Sequence, residues 1–291
     1  MIRSVAMFPG QGSQFRGMGH DLFPRYPHLI QQANDILGFS IEKLCLEDPG
    51  DDLSKTQFTQ VALFVVNALS WQAAFGDSGR VPDAACGHSL GEYSALFAAG
   101  VFDFATGLRL VQKRGELMGR QQGGGMAAAI GFDADYIRKI LDDFAFDTLD
   151  IANYNSPRQV VISGPKRDIE DVAVLFAEVP ESRYVVLNVS GAFHSRYMRE
   201  AGSEFAAFIR TLPFNAPRFP VISNFLARPY TSTDLVTTLT NQISSPVRWV
   251  DSIHYLLAQG ACDFHEIGPG TTLTRLLYHI APNLAQEVAA R

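Results

Sequence analysis

The sequence predicts an α/β protein: one larger α/β unit interrupted by a smaller β-α-β-β-α-β insertion of ferredoxin-like order. Three observations carry this. The first is Gly87-His88-Ser89-Leu90-Gly91, a G-x-S-x-G pattern with an apolar run, Ala84-Ala85-Cys86, before it and a helix-like segment, Leu90 to Ala99, after it. That is the pattern of a serine held on a tight strand-to-helix turn. The second is Gln121-Gln122-Gly123-Gly124-Gly125, the clearest break in composition. The third is the order of elements beyond that break: strand, helix, two strands, helix, strand. The large unit is then 1–124 and 193–291 and the small one 125–192, with the three glycines as a hinge between them.

Each element follows from its own residues. Val5 to Phe8 is a short apolar run ending at Pro9-Gly10, hence a buried strand. In Gly10-Gln11-Gly12-Ser13-Gln14 the third glycine of a dinucleotide fingerprint would fall on Phe15, and no Walker lysine follows. The turn is read instead as one that brings a backbone N–H toward a reacting carbonyl. Tyr26 to Leu37 and Ile41 to Glu47 are helical around Gly38, and Thr59 to Phe75 has helical apolar spacing. Phe104 to Gly119 is a helix carrying Lys113, Arg114 and, just beyond it, Arg120; Lys113 and Arg120 fit a solvated face. In the insertion, Met126 to Phe132 is a strand and Ala134 to Phe144 a helix. Leu149 to Ala152 and Gln159 to Ser163 are strands about Asn155-Ser156-Pro157. Arg167 to Ala177 is a helix and Arg183 to Val189 a strand. The small-residue loop Ser190 to Ser195 leads into a helix from Tyr197 to Leu212. Phe219 to Ser223 is a strand, Arg248 to Gln259 a helix, Phe264 to Ile267 a strand and Thr271 to His279 a last helix.

The 291 residues are 47% hydrophobic and 19% charged, enough to bury a large core. A net charge of −6 argues against a nucleic-acid surface and against a polybasic membrane patch. Cys45, Cys86 and Cys262 form neither a metal pattern nor a disulfide framework and fit a reducing compartment. The N-terminal residues have no apolar signal core, and Val61 to Trp71 is too short to span a bilayer. A soluble, cytoplasmic protein is expected.

The chemistry starts at Ser89. A serine nucleophile needs a base within hydrogen-bond reach. Of seven histidines, His20 and His28 lie in a polar stretch, His254 and His279 sit within helix patterns, and His265 alternates in a strand. His88 adjoins the serine and points poorly for a base, though it can line the pocket. His194 stands on a loop just after a strand, where catalytic groups tend to sit, and is the best candidate. No carboxylate stands out as a third member; Asp263 and Glu266 are weak candidates as orienters.

Six segments together resemble the malonyl-CoA:acyl-carrier-protein transacylase family. They are Phe8-Pro9-Gly10-Gln11-Gly12-Ser13-Gln14, Gly87-His88-Ser89-Leu90-Gly91-Glu92-Tyr93, Lys113-Arg114-Gly115-Glu116-Leu117-Met118, Asn153 to Pro157 with Gln159 to Gly164, Ala192-Phe193-His194-Ser195, and Gln242 before Ser245 to Trp249 with Glu266 to Gly270. The segments 191–195 and 223–230 resemble most closely the free-standing acyltransferases that serve polyketide synthases.

The resemblance implies an α/β-hydrolase-like core with the ferredoxin-like subdomain, and a Ser-His dyad of Ser89 and His194. The imidazole is then oriented by the chain around Gln242, and Gln11 and Leu90 give the oxyanion-hole N–H groups. Arg114 clamps the free carboxylate of malonyl; Arg presents a rigid fork that pairs with a carboxylate through two charge-assisted bonds. His88, Phe193, Gln242, Asn155 and Gln60 complete the implied substrate pocket, with the Phe193 ring beside the acyl α-carbon. The implied partners are malonyl-CoA and a phosphopantetheinylated acyl carrier protein, docked on a local basic patch including Arg183, Arg196 or Arg199, with no metal or bound cofactor. The alternatives are a fatty-acid-synthesis transacylase, a transferase for a larger extender unit, a carrier-protein acyl hydrolase and a non-catalytic docking subunit. Arg114 counts against the hydrolase, and intact Ser89 and His194 count against the docking subunit.

Overall fold

A computed structural model describes residues 1–177, 179, 181–231 and 233–284. The first stretch of chain runs β1 (Ser4–Phe8), α1 (Pro27–Leu37), α2 (Ile41–Leu46), α3 (Thr56–Trp71), β2 (Ala84–Gly87), α4 (Gly91–Ala98) and α5 (Phe104–Arg120). The middle stretch holds β3 (Gly124–Ile130), α6 (Ala134–Asp143), β4 (Asp150–Ser156), β5 (Gln159–Pro165), α7 (Lys166–Asp171) and β6 (Arg183–Val186). The last holds α8 (Arg199–Ile209), β7 (Val221–Ile222), α9 (Leu235–Ser244), α10 (Trp249–Ala258), β8 (Asp263–Glu266) and α11 (Thr272–Ile280). The protein is thus of mixed α/β class, as expected.

Two four-stranded sheets organise it. The first is parallel, in the order β7-β2-β1-β8. A parallel sheet is covered on both faces, so its strands read as unbroken apolar runs; Val5 to Phe8 are all fully buried. Alternate residues serve the two faces. Ala6, Phe8 and Ala85 join the core under α3, α4 and α5. Val5, Met7, Ala84 and Cys86 pack on Trp249, Ile253 and Leu276 of α10 and α11. The second sheet is antiparallel, in the order β4-β5-β3-β6. Ala127, Ala129, Val160 and Ile162 face Ile137, Leu141 and Ile169 of its own helices. Its other face, with Met126, Ala128 and Val161, turns into the main core.

Four expectations change. The three-glycine run is no hinge: Gly124 and Gly125 are paired inside β3, opposite Pro165 and Gly164. A Cβ on Gly124 would lie 2.2 Å from Ala192 N, so glycine here lets two backbones touch where the insertion begins and ends. The helix expected over 167–177 stops at Asp171 and passes into a 3-10 turn, Val172–Leu175. The apolar run read as too short for a membrane belongs to a longer helical stretch, Thr56–Gly76, of 21 residues, with one π-turn at its end. That length and apolar composition would suffice to cross a membrane, but most of the stretch is buried inside the protein and it is a core helix. Finally, α9 is a helix that no periodicity announced.

The two sheets are stitched by the chain after α9. Val247 N–H donates to Ala152 O at 2.8 Å, and Tyr154 N–H donates to Val247 O at 3.0 Å, so Val247 extends β4 by one rung.

Candidate active site

Ser89 lies just past the C-terminal end of β2, in the left-handed region at φ 51°. A non-glycine residue there carries about 1–3 kcal/mol of backbone strain and persists only when its surroundings hold it. The surroundings here are tight. A Cβ on Gly91 would lie 1.9 Å from Phe8 O, so α4 starts in contact with the end of β1. Asn224, just beyond β7, clamps the turn from the other side. Its Oδ1 accepts from Ser89 N–H at 2.6 Å and its Nδ2 donates to Gly87 O at 2.6 Å. The Gln242 amide donates to Ser89 O at 2.7 Å.

Ser89 Oγ stands 2.7 Å from His194 Nε2. His194 Nδ1 is 2.9 Å from the main-chain oxygen of Gln242. A carbonyl only accepts, so Nδ1 carries the proton and Nε2 presents a lone pair to the serine hydroxyl. The imidazole is 3% exposed. Burial, with the Arg114 charge beside it, pushes its pKa down to about 3, so it is neutral at rest. The two carboxylates considered as orienters are occupied elsewhere. Glu266 accepts from the N–H groups of Leu273 and Thr274 at 3.0 and 2.8 Å and caps α11. Asp263 faces His265 at 3.1 Å on the surface.

Arg114 projects from α5 and is 1% exposed. Its Nη2 donates to Ser89 Oγ and to Gln242 Oε1, each at 3.1 Å, and its guanidinium lies 5.4 Å from the centre of the Tyr93 ring. Its Nε has no partner among the described residues. The nearest buried carboxylate, Glu92, reaches it only through Gln242, whose Nε2 donates to Glu92 Oε2 at 2.9 Å. Glu92 also accepts from the Tyr230 hydroxyl. Desolvation pushes the Glu92 carboxyl up to about 7, against the pull of these donors.

The other expected residues divide. His88 turns toward the second sheet and donates from Nε2 to Asn155 Oδ1 at 2.7 Å, edge-on to Trp249, with burial lowering its pKa. It is therefore a wall and not a base. Gly10 approaches the serine turn so closely that a Cβ on it would lie 2.2 Å from His88 O. Among the described residues, the N–H groups of Gln11 and Leu90 donate to no protein acceptor, while the Gln11 side chain bonds Thr56 Oγ1 at 3.3 Å. Phe193 is 4% exposed, joins the main core and folds against Gly191. Gln60 is buried on α3, with its amide 3.5 Å from Met118 Sδ and Oε1 without a partner among the described residues.

A cavity of about 520 Å³ opens at His194 and Ser195 and runs past Asp150, Arg196 and Arg199 to Arg138 and Tyr154. Arg196 is paired with Asp150; Arg183 lies on the edge strand β6, opposite Ile130. Three residues that hold the site were given no role from the sequence: Asn224, Tyr230 and Glu92. All three lay in segments that carried the resemblance, Glu92 directly after the serine motif and Asn224 and Tyr230 within 223–230.

Comparison with known proteins agrees with this geometry. The acyl transferase domain family matches residues 5–287. The polyketide biosynthesis malonyl CoA-acyl carrier protein transacylase PksC of Bacillus subtilis is 52% identical over 275 residues, 94% of this chain and 96% of that protein. Polyketide biosynthesis protein PksE of the same organism is also 52% identical over 275 residues, but this chain spans only 36% of its length. The crystal structure of a malonyl CoA-acyl carrier protein transacylase from Burkholderia pseudomallei shares 48% identity with a TM-score of 0.94, covering 97% of this chain and 99% of that one. A match that runs the length of both chains at this identity, over this serine turn, places the chain in the malonyl CoA-acyl carrier protein transacylase family of acyl transferase domains.

Proposed function

We propose that the protein transfers a malonyl group from CoA to the phosphopantetheine thiol of an acyl carrier protein, in polyketide biosynthesis, through an ester on Ser89. The observation that carries the mechanism is the pair of contacts on one atom: Ser89 Oγ meets His194 Nε2 at 2.7 Å and Arg114 Nη2 at 3.1 Å. Nucleophile, base and anion clamp converge there.

His194 takes the serine proton as Oγ attacks the thioester carbonyl. The oxyanion is held by the open N–H groups of Gln11 and Leu90. The imidazolium, desolvated and facing Arg114, is a strong acid and passes its proton to the departing CoA sulfur. The carrier thiol then enters, gives its proton to Nε2 and takes the malonyl group, and the imidazolium returns that proton to the departing Ser89 Oγ, completing a ping-pong cycle. Arg114 swings its fork from Ser89 Oγ to the acyl carboxylate when malonyl arrives. That pairing offsets the charge that depresses His194, so the correct acyl group strengthens its own base.

In this reading the parallel-sheet unit, 1–124 and 193–291, is α/β-hydrolase-like and 125–192 is the ferredoxin-like subdomain; the antiparallel order supports the latter. His88, Asn155, Phe193, Gln242 and Gln60 border the acyl site. The cavity at His194, with Arg196 and Arg199 on its wall, receives the donor and carrier arms. The enzyme works in the cytoplasm without a bound cofactor.

The test is intact-mass analysis after mixing with malonyl-CoA. One malonyl group per chain is expected, mapped to the Ser89 peptide, passed on to a holo carrier protein and absent in Ser89→Ala. A label on Cys86, or no label, refutes the dyad.

A further inference from the structure

Gln242 hydrogen-bonds to His194, Ser89 and Arg114 at once. Its main-chain oxygen holds His194 Nδ1, its Nε2 holds the Ser89 carbonyl, and its Oε1 holds Arg114 Nη2. An amide is nearly symmetric in shape, so something must decide which end faces the arginine. If it turned over, an NH₂ group would face a guanidinium, donor against donor. Glu92 decides it. Its Oε2 lies 2.9 Å from Gln242 Nε2, and its other oxygen is taken by the Tyr230 hydroxyl. A carboxylate only accepts, so it draws the NH₂ end toward itself. Glu92 is fully buried and touches neither Ser89 Oγ nor His194 directly.

We propose that Glu92 is a positioning residue for the transfer: by fixing the Gln242 amide, it aligns the base His194 and the clamp Arg114 as one unit. The proposal rests on the acyl-transfer reading for its purpose, but its geometry can be tested without that reading. Buried polar networks are strong only when every member is satisfied. With Glu92 absent, the Gln242 NH₂ end keeps only the Ser89 carbonyl, and its Oε1 is held less firmly against Arg114, beside the residue whose carbonyl holds His194.

The test uses two reagents on the full chain. Malonyl-CoA reports transfer chemistry. Diisopropyl fluorophosphate phosphorylates an activated serine, releasing fluoride, and needs His194 but no acyl carboxylate. Rate and endpoint are both read by intact mass, well below the melting temperature. Glu92→Ala should slow both reactions by roughly 10- to 100-fold while the endpoint stays at one group per chain, since misplacement by about 1 Å has effects of that size. Glu92→Gln can accept from Gln242 and donate to Tyr230, and should recover the wild-type rates to within about threefold. Glu92→Met, of similar volume and without an acceptor, replaces Glu92→Ala if that variant does not fold. An unchanged rate overturns the proposal. So does a lower endpoint at unchanged rate, which marks a packing residue only, or a Glu92→Gln variant as slow as Glu92→Ala. If wild type takes the phosphoryl label but not malonyl, the transfer reading fails and the fluorophosphate rates still judge Glu92.

Discussion

Arg114→Ala is the sharpest perturbation the site offers. The guanidinium is 1% exposed and makes no ion pair among the described residues. Its charge is buried at a cost that an arriving carboxylate offsets. Without it, the malonyl carboxylate would enter a site with no cation. Breaking a buried pair by removing one partner costs about 3–5 kcal/mol. That corresponds to a loss of roughly two to four orders of magnitude in malonyl transfer. The same substitution also removes the contacts to Ser89 Oγ and Gln242 Oε1, which serve any acyl group. At about 1 kcal/mol each in net hydrogen bonding, the two together are worth roughly thirtyfold. Acetyl transfer should therefore fall by that smaller factor at most, and it can rise because the emptied site no longer favours an anion. The assay is the rate of Ser89 loading from malonyl-CoA and from acetyl-CoA, measured side by side by intact mass. The malonyl-to-acetyl ratio should drop by at least about a hundredfold. Equal losses for the two donors would show that Arg114 only supports the fold, and the clamp would have to be sought elsewhere.

Phe193→Ser should raise use of methylmalonyl-CoA relative to malonyl-CoA by roughly tenfold or more, because a methyl-sized difference in an apolar pocket is worth about 1–3 kcal/mol; an unchanged ratio of kcat/KM means the ring serves the core alone. In Glu92→Gln, which removes the carboxyl pushed up to about 7, the pH profile of loading should lack the inflection near 6.5 of an ordinary histidine, since burial and Arg114 hold His194 down to about 3. The sign is fixed: the base is neutral above that value, and the rate falls only as pH drops through it. In Arg114→Ala the acidic limb of acetyl loading should move upward in pH, and a stationary limb would show that the arginine charge does not reach the imidazole.

The serine turn was legible because its constraints are local. Gly87 is demanded by its contact with Gly91 and Glu92, a few residues on, and the flanking strand and helix fix the context. His194 was legible as a loop position after a strand, though position alone did not exclude other histidines. Its orienting partner was not legible from the residues, because it is a main-chain carbonyl and every residue has one; only the family resemblance pointed to Gln242. Asn224 and Tyr230 meet Ser89 and Glu92 from more than 130 positions away, so no spacing could reveal the contacts; Asn224 reaches Ser89 across 135 residues and Tyr230 reaches Glu92 across 138. The helix that carries Gln242 was hidden by its composition, Leu235-Val236-Thr237-Thr238-Leu239-Thr240, whose β-branched residues read against helix. Packing on α8, which buries Leu235, Leu239 and Ile243, overrides that preference. The glycine run misled in the opposite way. Glycine marks close backbone approach as readily as flexibility, and Gly124 against Ala192 is the former.

The rung at Val247 bears on how the protein can be cut or rebuilt. Removing residues 125–192 to obtain a minimal catalyst would take away β4, leaving both the N–H and the carbonyl of Val247 without their partners, Ala152 and Tyr154. Val247 lies five residues beyond Gln242, on the same length of chain whose carbonyl sets the imidazole. It would also strip Asn155 from His88. The smaller sheet is therefore no detachable module, and a circular permutant or chimera of this protein must exchange the insertion together with the segment from Gln242 to Val247.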